Sequence, residues 1–164
     1  MKIYRIAQSS APFSSKAYHG TIFDFNSFDQ SQIGVANDFG TLGRGFYFTL
    51  DPNVAQSYAR SAYKRFQGDK SSLIPQIITV NINLQNALNS QQRTMRTNYQ
   101  GETPAEQANN MTQNLTSQNI DGVLLYQGAD ISEIIVYDPS KISIVSKTPV
   151  DVSDLNQSNK RRLY

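Results

Sequence analysis

The sequence has no cysteine, no tryptophan and one histidine in 164 residues. Without cysteine there is no disulfide, no thiolate nucleophile and no cysteine-ligated zinc. With His19 the sole imidazole, a zinc shell would have to be dominated by carboxylates, so no metal centre is expected. A serine–histidine pair would need His19 as its base, and no serine sits in a Gly-x-Ser-x-Gly elbow. Neither a Gly-x-x-x-x-Gly-Lys phosphate loop nor a dinucleotide fingerprint after a strand is present. Long apolar runs are missing too. The opening residues Met1-Lys2-Ile3-Tyr4-Arg5-Ile6 are too mixed for a signal peptide. No stretch approaches the roughly 20 apolar residues that span a bilayer. The expectation is a soluble protein with no membrane partner, either cytoplasmic or delivered into a target cell without a classical signal peptide.

Charge is scarce as well. Charged residues are 17% of the chain and the net charge is +2, which solubilises without building a strong field. The visible basic cluster is terminal, Lys147 and then Lys160-Arg161-Arg162. It reads as a solvated tail, although such a cluster can also touch a nucleic-acid backbone.

What is present suggests one domain with a real core. Residues 1–150 form that domain and residues 151–164 a polar, basic tail. Residues 2–6 read as a short edge strand, and 7–16, Ser-rich with Pro12, as a loop. Residues 17–19 are a strand candidate. Phe23, Phe25 and Phe28 are placed to pin an irregular segment to the core. Residues 29–43 are a polar loop that could cover a ligand, and 46–50 a strand. Asp51-Pro52 is an N-cap followed by a proline at the first helical position. Val54, Ala55, Tyr58, Ala59, Ala62, Tyr63 and Phe66 then recur with a helical period, ending before Gly68. Residues 77–84 alternate as a strand. Residues 85–102 read as an insertion or mobile loop. Thr103-Pro104-Ala105-Glu106 is a capping box that opens a helix to about Ser117. Strands at 123–126, 134–137 and 142–146 follow, the first two joined by a hairpin-type turn. Many strands and two convincing helices, without regular βαβ spacing, give an α+β fold of split or sandwiched sheets.

Three segments carry candidate chemistry. Tyr18-His19-Gly20-Thr21 sets the histidine beside a glycine. Gly43-Arg44-Gly45-Phe46-Tyr47-Phe48-Thr49 sets a tyrosine after a glycine-flanked turn. Ile131-Ser132-Glu133-Ile134-Ile135-Val136-Tyr137-Asp138 opens a very apolar strand with one carboxylate, which alternation places on the face of Ile135 and Tyr137. Taken singly, Glu133 reads as an exposed edge residue and His19 as a satisfied structural histidine.

Taken together and in order, the three segments resemble the signature of the ADP-ribosyltransferase superfamily. The type is that of the diphtheria-toxin and poly(ADP-ribose)-polymerase enzymes, which place a His, a Tyr and a Glu on different strands of a split β core. The resemblance covers roughly residues 17–145. In size and motif style it is nearest to small bacterial or phage-encoded mono-ADP-ribosyltransferases. It implies an α+β, split β-sheet core with two main helices, and NAD as co-substrate with no metal. By the same resemblance Glu133, His19 and Tyr47 would be catalytic. His19, Gly20, Thr21, Arg44, Tyr47 and Tyr58 would bind NAD. His19 would hold the adenine-side ribose and the Gly20 backbone the nicotinamide amide. Thr21 would orient the ribose. Tyr47 and Tyr58 would wall the nicotinamide ring, and Arg44 would meet the pyrophosphate. Ala55 stands where polymerase-type members carry a serine against the amide. The implied activity is mono-ADP-ribosyl transfer to a macromolecule, a host or bacterial protein first, in a toxin, effector or phage–host modifier. Alternatives are a DNA- or RNA-directed transferase, a rifamycin-type small-molecule transferase, and an NAD-binding module with little catalysis. An antitoxin or immunity partner fits this class.

Overall fold

A computed structural model describes residues 10–29, 43–91 and 103–157. Its spine is the strand Gln76–Gln91, β3 in chain order. Ile78, Val80, Ile82 and Leu84 alternate along one face of β3 and are all but inaccessible to solvent. β1 (Ser10–Thr21) runs antiparallel along one edge, from Ser10 opposite Leu88 to Thr21 opposite Gln76.

The other edge is shared. β6 (Ile142–Pro149) pairs antiparallel with the first part, Gln76 to Ile82. β4 (Gly122–Gln127) pairs parallel with the last part, Ala87 to Gln91. The sheet therefore forks. At the fork the Asp121 carboxylate accepts from the backbone N–H of Gln85 at 2.8 Å and of Asn86 at 3.0 Å. These two amides lie between the stretches paired to β6 and to β4, so the carboxylate supplies the acceptors that neither neighbouring strand offers there.

Beyond β4, a hairpin leads to β5 (Asp130–Val136), and β5 pairs antiparallel with β2 (Phe46–Phe48). The order is β1-β3-β4-β5-β2. The ends of this row then meet: Tyr18 and Thr49 exchange backbone hydrogen bonds of 2.8 and 3.0 Å. The sheet is curled until its first and last strands touch.

One face of the sheet holds the largest core cluster, with Phe28, Phe46, Phe48, Ile78, Val80, Leu124, Ile134 and Val136. The other face carries the two main helices. α1 (Pro52–Arg65) lays Ala55 and Ala59 against Ile77 and Val150, while α2 (Pro104–Ser117) lays Met111 and Leu115 against Val123, Leu125 and Ile135. Both start as expected. Asp51 Oδ1 accepts from the Asn53 N–H at 2.9 Å, and Thr103 Oγ1 from the Glu106 N–H at 3.2 Å. The α+β fold with two main helices is thus observed.

Several boundaries differ from expectation. Residues 10–16 are strand, not loop. Pro12 is accommodated by a register shift between Ala11 and Phe13, where no ladder donor is required. Residues 85–91 continue β3. Their alternation was obscured because Ala87 and Leu88 are both buried, one in each cluster on opposite faces. Val54 and Tyr58 face solvent, so the buried stripe of α1 is narrower than the periodicity predicted. Within the stretch read as a tail, α3 (Ser153–Gln157) is held to α1 by a two-pronged Arg60–Asp154 ion pair and a Tyr63–Asn156 hydrogen bond, while residues 158–164 lie outside the described residues. The strand expected at 2–6, most of the loop at 29–43, residues 92–102 and the Lys160-Arg161-Arg162 cluster lie outside the described residues.

Candidate active site

The three motif segments meet where β2 bridges β1 and β5. Tyr18 pairs with Thr49, and Glu133 falls one residue beyond the Phe48–Ile134 pair on the opposite side of β2. Tyr18, Thr49 and Glu133 therefore stand abreast on β1, β2 and β5. Two strand spacings put the outer backbones about 10 Å apart.

His19 reaches across this junction. Its Nδ1 lies 2.8 Å from the Tyr47 carbonyl oxygen. A carbonyl only accepts, so Nδ1 carries the proton and Nε2 is left as an acceptor. Phe25, Phe28 and Phe48 surround the ring at centroid distances of 6.3, 5.4 and 5.7 Å. Burial lowers the His19 pKa below its ordinary value, opposed in part by the bond to Tyr47. The ring is neutral at pH 7.

A pH dependence follows. As pH falls through the ordinary histidine range the unfolded chain takes up a proton that the native ring refuses. Stability is complete above about pH 6.5 and declines as pH drops toward the depressed native value. His19 is the chain's single histidine. Urea midpoints measured between pH 7 and pH 5 should fall in the parent protein and flatten in His19→Asn.

The aromatic surround is itself anchored. Buried Gln76 donates from Nε2 to the Phe23 carbonyl at 3.1 Å and to Asp24 Oδ1 at 3.0 Å. Lys147 Nζ donates to Asp24 Oδ1 at 2.7 Å and Asn26 Oδ1 at 3.2 Å. The bond from Lys147, followed by that from Gln76, holds the Asp24 carboxyl below its usual range. Lys147, grouped with the basic tail on sequence, is an anchor of this loop. An open cleft of about 420 Å³ lies beside the surround, lined by Ser27, Phe28, Asp29, Asp138, Pro139 and Ser140.

Tyr47 points the other way from β2. Its neighbours Phe46 and Phe48 join the cluster around Phe28, whereas Tyr47 packs on the cluster of Leu125, Ile135 and Tyr137. The His19 ring thus meets the Tyr47 carbonyl, not its phenol. Tyr47 Oη donates to the Gly43 carbonyl. The half-buried Glu133 shares by alternation the face of Ile135 and Tyr137, and so the face on which Tyr47 packs. Glu133 pairs with Leu125 of β4, and the adjoining Ile134 pairs with both Leu124 of β4 and Phe48 of β2, which fixes the backbone beneath the carboxylate.

Gly20 has a cause within the fold itself. A Cβ there would sit 1.9 Å from the Ala55 carbonyl oxygen and 3.0 Å from the Ala59 nitrogen. α1 crosses β1 so closely that no side chain fits. The same approach accounts for Ala55, which is fully buried. Thr21 is buried and its Oγ1 accepts from the Phe23 N–H at 3.2 Å, turning the chain into the Phe25–Phe28 segment. Tyr58 is 57% exposed on α1. Arg44 is clamped by its backbone, its N–H donating to Thr112 Oγ1 at 2.7 Å. Its buried Nε has no hydrogen-bond partner among the described residues. Thr112, Gln76 and Asp121 support these segments from elsewhere in the chain. Only long-range contacts reveal them, and no local pattern marks them. Among the described residues no group of three potential metal ligands occurs, and no helix is long and apolar enough to cross a membrane.

A family model described as "ADP-Ribosyltransferase in polyvalent proteins" matches residues 14–151. The chain belongs to this ADP-ribosyltransferase family. The match runs from within β1 to just before α3 and includes His19, Tyr47 and Glu133. Among solved structures, this ADP-ribosyltransferase chain is similar in fold to a chain from the crystal structure of the M. tuberculosis MbcT–MbcA toxin–antitoxin complex. The TM-score is 0.59, the identity 10%, and the coverage 92% of each chain. No curated protein matches the sequence.

Proposed function

We propose that the protein is a mono-ADP-ribosyltransferase that moves ADP-ribose from NAD to a macromolecular acceptor, a protein first, with release of nicotinamide. The observation that carries this reading is the junction of β1, β2 and β5. It sets the Glu133 strand beside the Tyr18–Thr49 bridge, with a neutral His19 fixed as an Nε2 acceptor one residue away.

In this reading the glycosidic C–N bond of NAD breaks and its electron pair leaves with nicotinamide. Positive charge develops on the ribose carbon and ring oxygen. The Glu133 carboxylate stabilises that charge from a fixed strand. The acceptor's nucleophile then bonds to the same carbon and gives up its proton, with Glu133 as the base. His19 Nε2 accepts from a hydroxyl of the adenine-side ribose. Tyr47 and Tyr58 wall the nicotinamide, the Gly20 backbone and Thr21 orient the adjoining amide and ribose, and Arg44 turns its guanidinium to the pyrophosphate. The unpartnered Arg44 Nε suits an anion. Water must be excluded, because it would compete as acceptor and hydrolyse NAD.

The catalytic unit is residues 1–150. The docked α3 belongs with it structurally, since Arg60 and Tyr63 tie it to α1. The similar structure is a toxin–antitoxin complex, which supports a neutralising protein partner for this chain as well. Incubation with NAD labelled on the adenylate, plus a cell lysate, tests the reading. Label on a defined protein is expected. Label on nucleic acid or on a small molecule moves the acceptor class. NAD bound without transfer, or no binding at all, removes the transferase assignment.

A further inference from the structure

We infer that Thr112, on α2, is a positioning residue for Tyr47: its hydroxyl fixes the Gly43–Arg44 turn on which the Tyr47 phenol is anchored. The inference rests on the transferase reading, which makes Tyr47 a wall of the nicotinamide site.

The links are short. Thr112 Oγ1 accepts from the Arg44 N–H at 2.7 Å and donates its one proton to the Ala108 carbonyl at 3.1 Å, the closer of two carbonyls within reach. Gly43 sits directly on this hydroxyl. Its φ is +91°, and a Cβ there would meet Thr112 Oγ1 at 2.7 Å. The Gly43 carbonyl in turn accepts from Tyr47 Oη. A continuous chain of contacts thus runs from α2 through the turn to the far end of the Tyr47 ring.

The arrangement suits a positioning role. β2 is a strand of only three residues, so its backbone alone fixes the near end of Tyr47 and leaves the phenol to be held from elsewhere. α2 is a firm base, with Ala108, Met111 and Leu115 buried and its first turn capped by Thr103. A valine at 112 would fill the same space but could neither accept from Arg44 nor bond Ala108.

The test uses the full chain and compares Thr112→Val, Thr112→Ser and Tyr47→Phe. The Thr112→Val variant should raise KM for NAD about five- to tenfold with kcat within about twofold, because a mispositioned wall weakens binding in ground and transition states alike. Thr112→Ser should restore the parent KM, since it keeps the hydroxyl. Combined with Tyr47→Phe, Thr112→Val should add little, because both break one chain of contacts. In Thr112→Val, hydrogen exchange at the Arg44 amide should quicken, whether or not NAD is turned over. An unchanged KM in Thr112→Val, failure of serine to restore it, or full additivity with Tyr47→Phe overturns the inference while leaving the transferase reading intact. Absence of Glu133-dependent NAD turnover in the parent protein ends both.

Discussion

Glu133→Gln should slow release of nicotinamide from NAD by roughly 10²–10³-fold, the effect typical of removing one preorganised electrostatic partner from a transition state. NAD affinity and thermal midpoint should change little. Glutamine has the size and shape of glutamate, and β5 is paired to β4 and β2 on its two sides, so the backbone has no reason to move. What disappears is the negative charge that opposes the positive charge growing on the ribose. That charge barely exists in bound NAD, so the loss belongs to kcat. Nicotinamide release, calorimetric NAD affinity and a melting curve measured on the same preparation separate the three quantities. Turnover equal to that of the parent would remove Glu133 from the chemistry. A collapse in melting temperature would instead mean that the carboxylate serves the fold.

The parts of the molecule legible in the sequence are those fixed locally. Asp51-Pro52 and Thr103-Pro104 declare helix starts because capping is a matter of a few adjacent atoms. Alternation from Ile78 to Leu84 declares a strand because one face is buried and the other is not. The order of the His, Tyr and Glu segments sufficed to place the chain among the ADP-ribosyltransferases. What the sequence hid depends on partners distant along the chain. β3 changes neighbour at Gln85–Asn86, and the Asp121 carboxylate that makes this possible is 35 residues away from Asn86. The closing Tyr18–Thr49 bridge, the Thr112 contact to Arg44 and the Lys147 anchor on Asp24 are likewise long-range. The Ser-rich stretch before Ala17 looked like a loop because its polar residues lie on an exposed part of β1, while β3 supplies the hydrogen bonds that make it a strand. Gly20 was legible as a constraint on space. Which neighbour needs the space was not.

Gly20→Ala decides that last question and should be the most destabilising of these substitutions. The added methyl would lie 1.9 Å from the Ala55 carbonyl oxygen and 3.0 Å from the Ala59 nitrogen. Both are backbone atoms of α1, so no side-chain rotation relieves the overlap. The helix must retreat by about 1.5 Å to regain ordinary contact, pulling Ala55 and Ala59 from Ile77 and Val150. Overpacking of this kind costs about 1–3 kcal/mol, and the upper end applies where rigid backbone is the obstacle. For a chain of this length about 3 kcal/mol corresponds to a fall of roughly 6–12 °C in melting temperature. Adding Ala55→Gly should not rescue the variant, because the obstacle is a peptide carbonyl and not the alanine methyl. Differential scanning fluorimetry of the single and double variants checks both statements. If Gly20→Ala keeps its melting temperature but loses NAD binding, the glycine makes room for ligand and not for helix. If the double variant recovers, the contact with α1 runs through side chains and the close backbone approach is wrong.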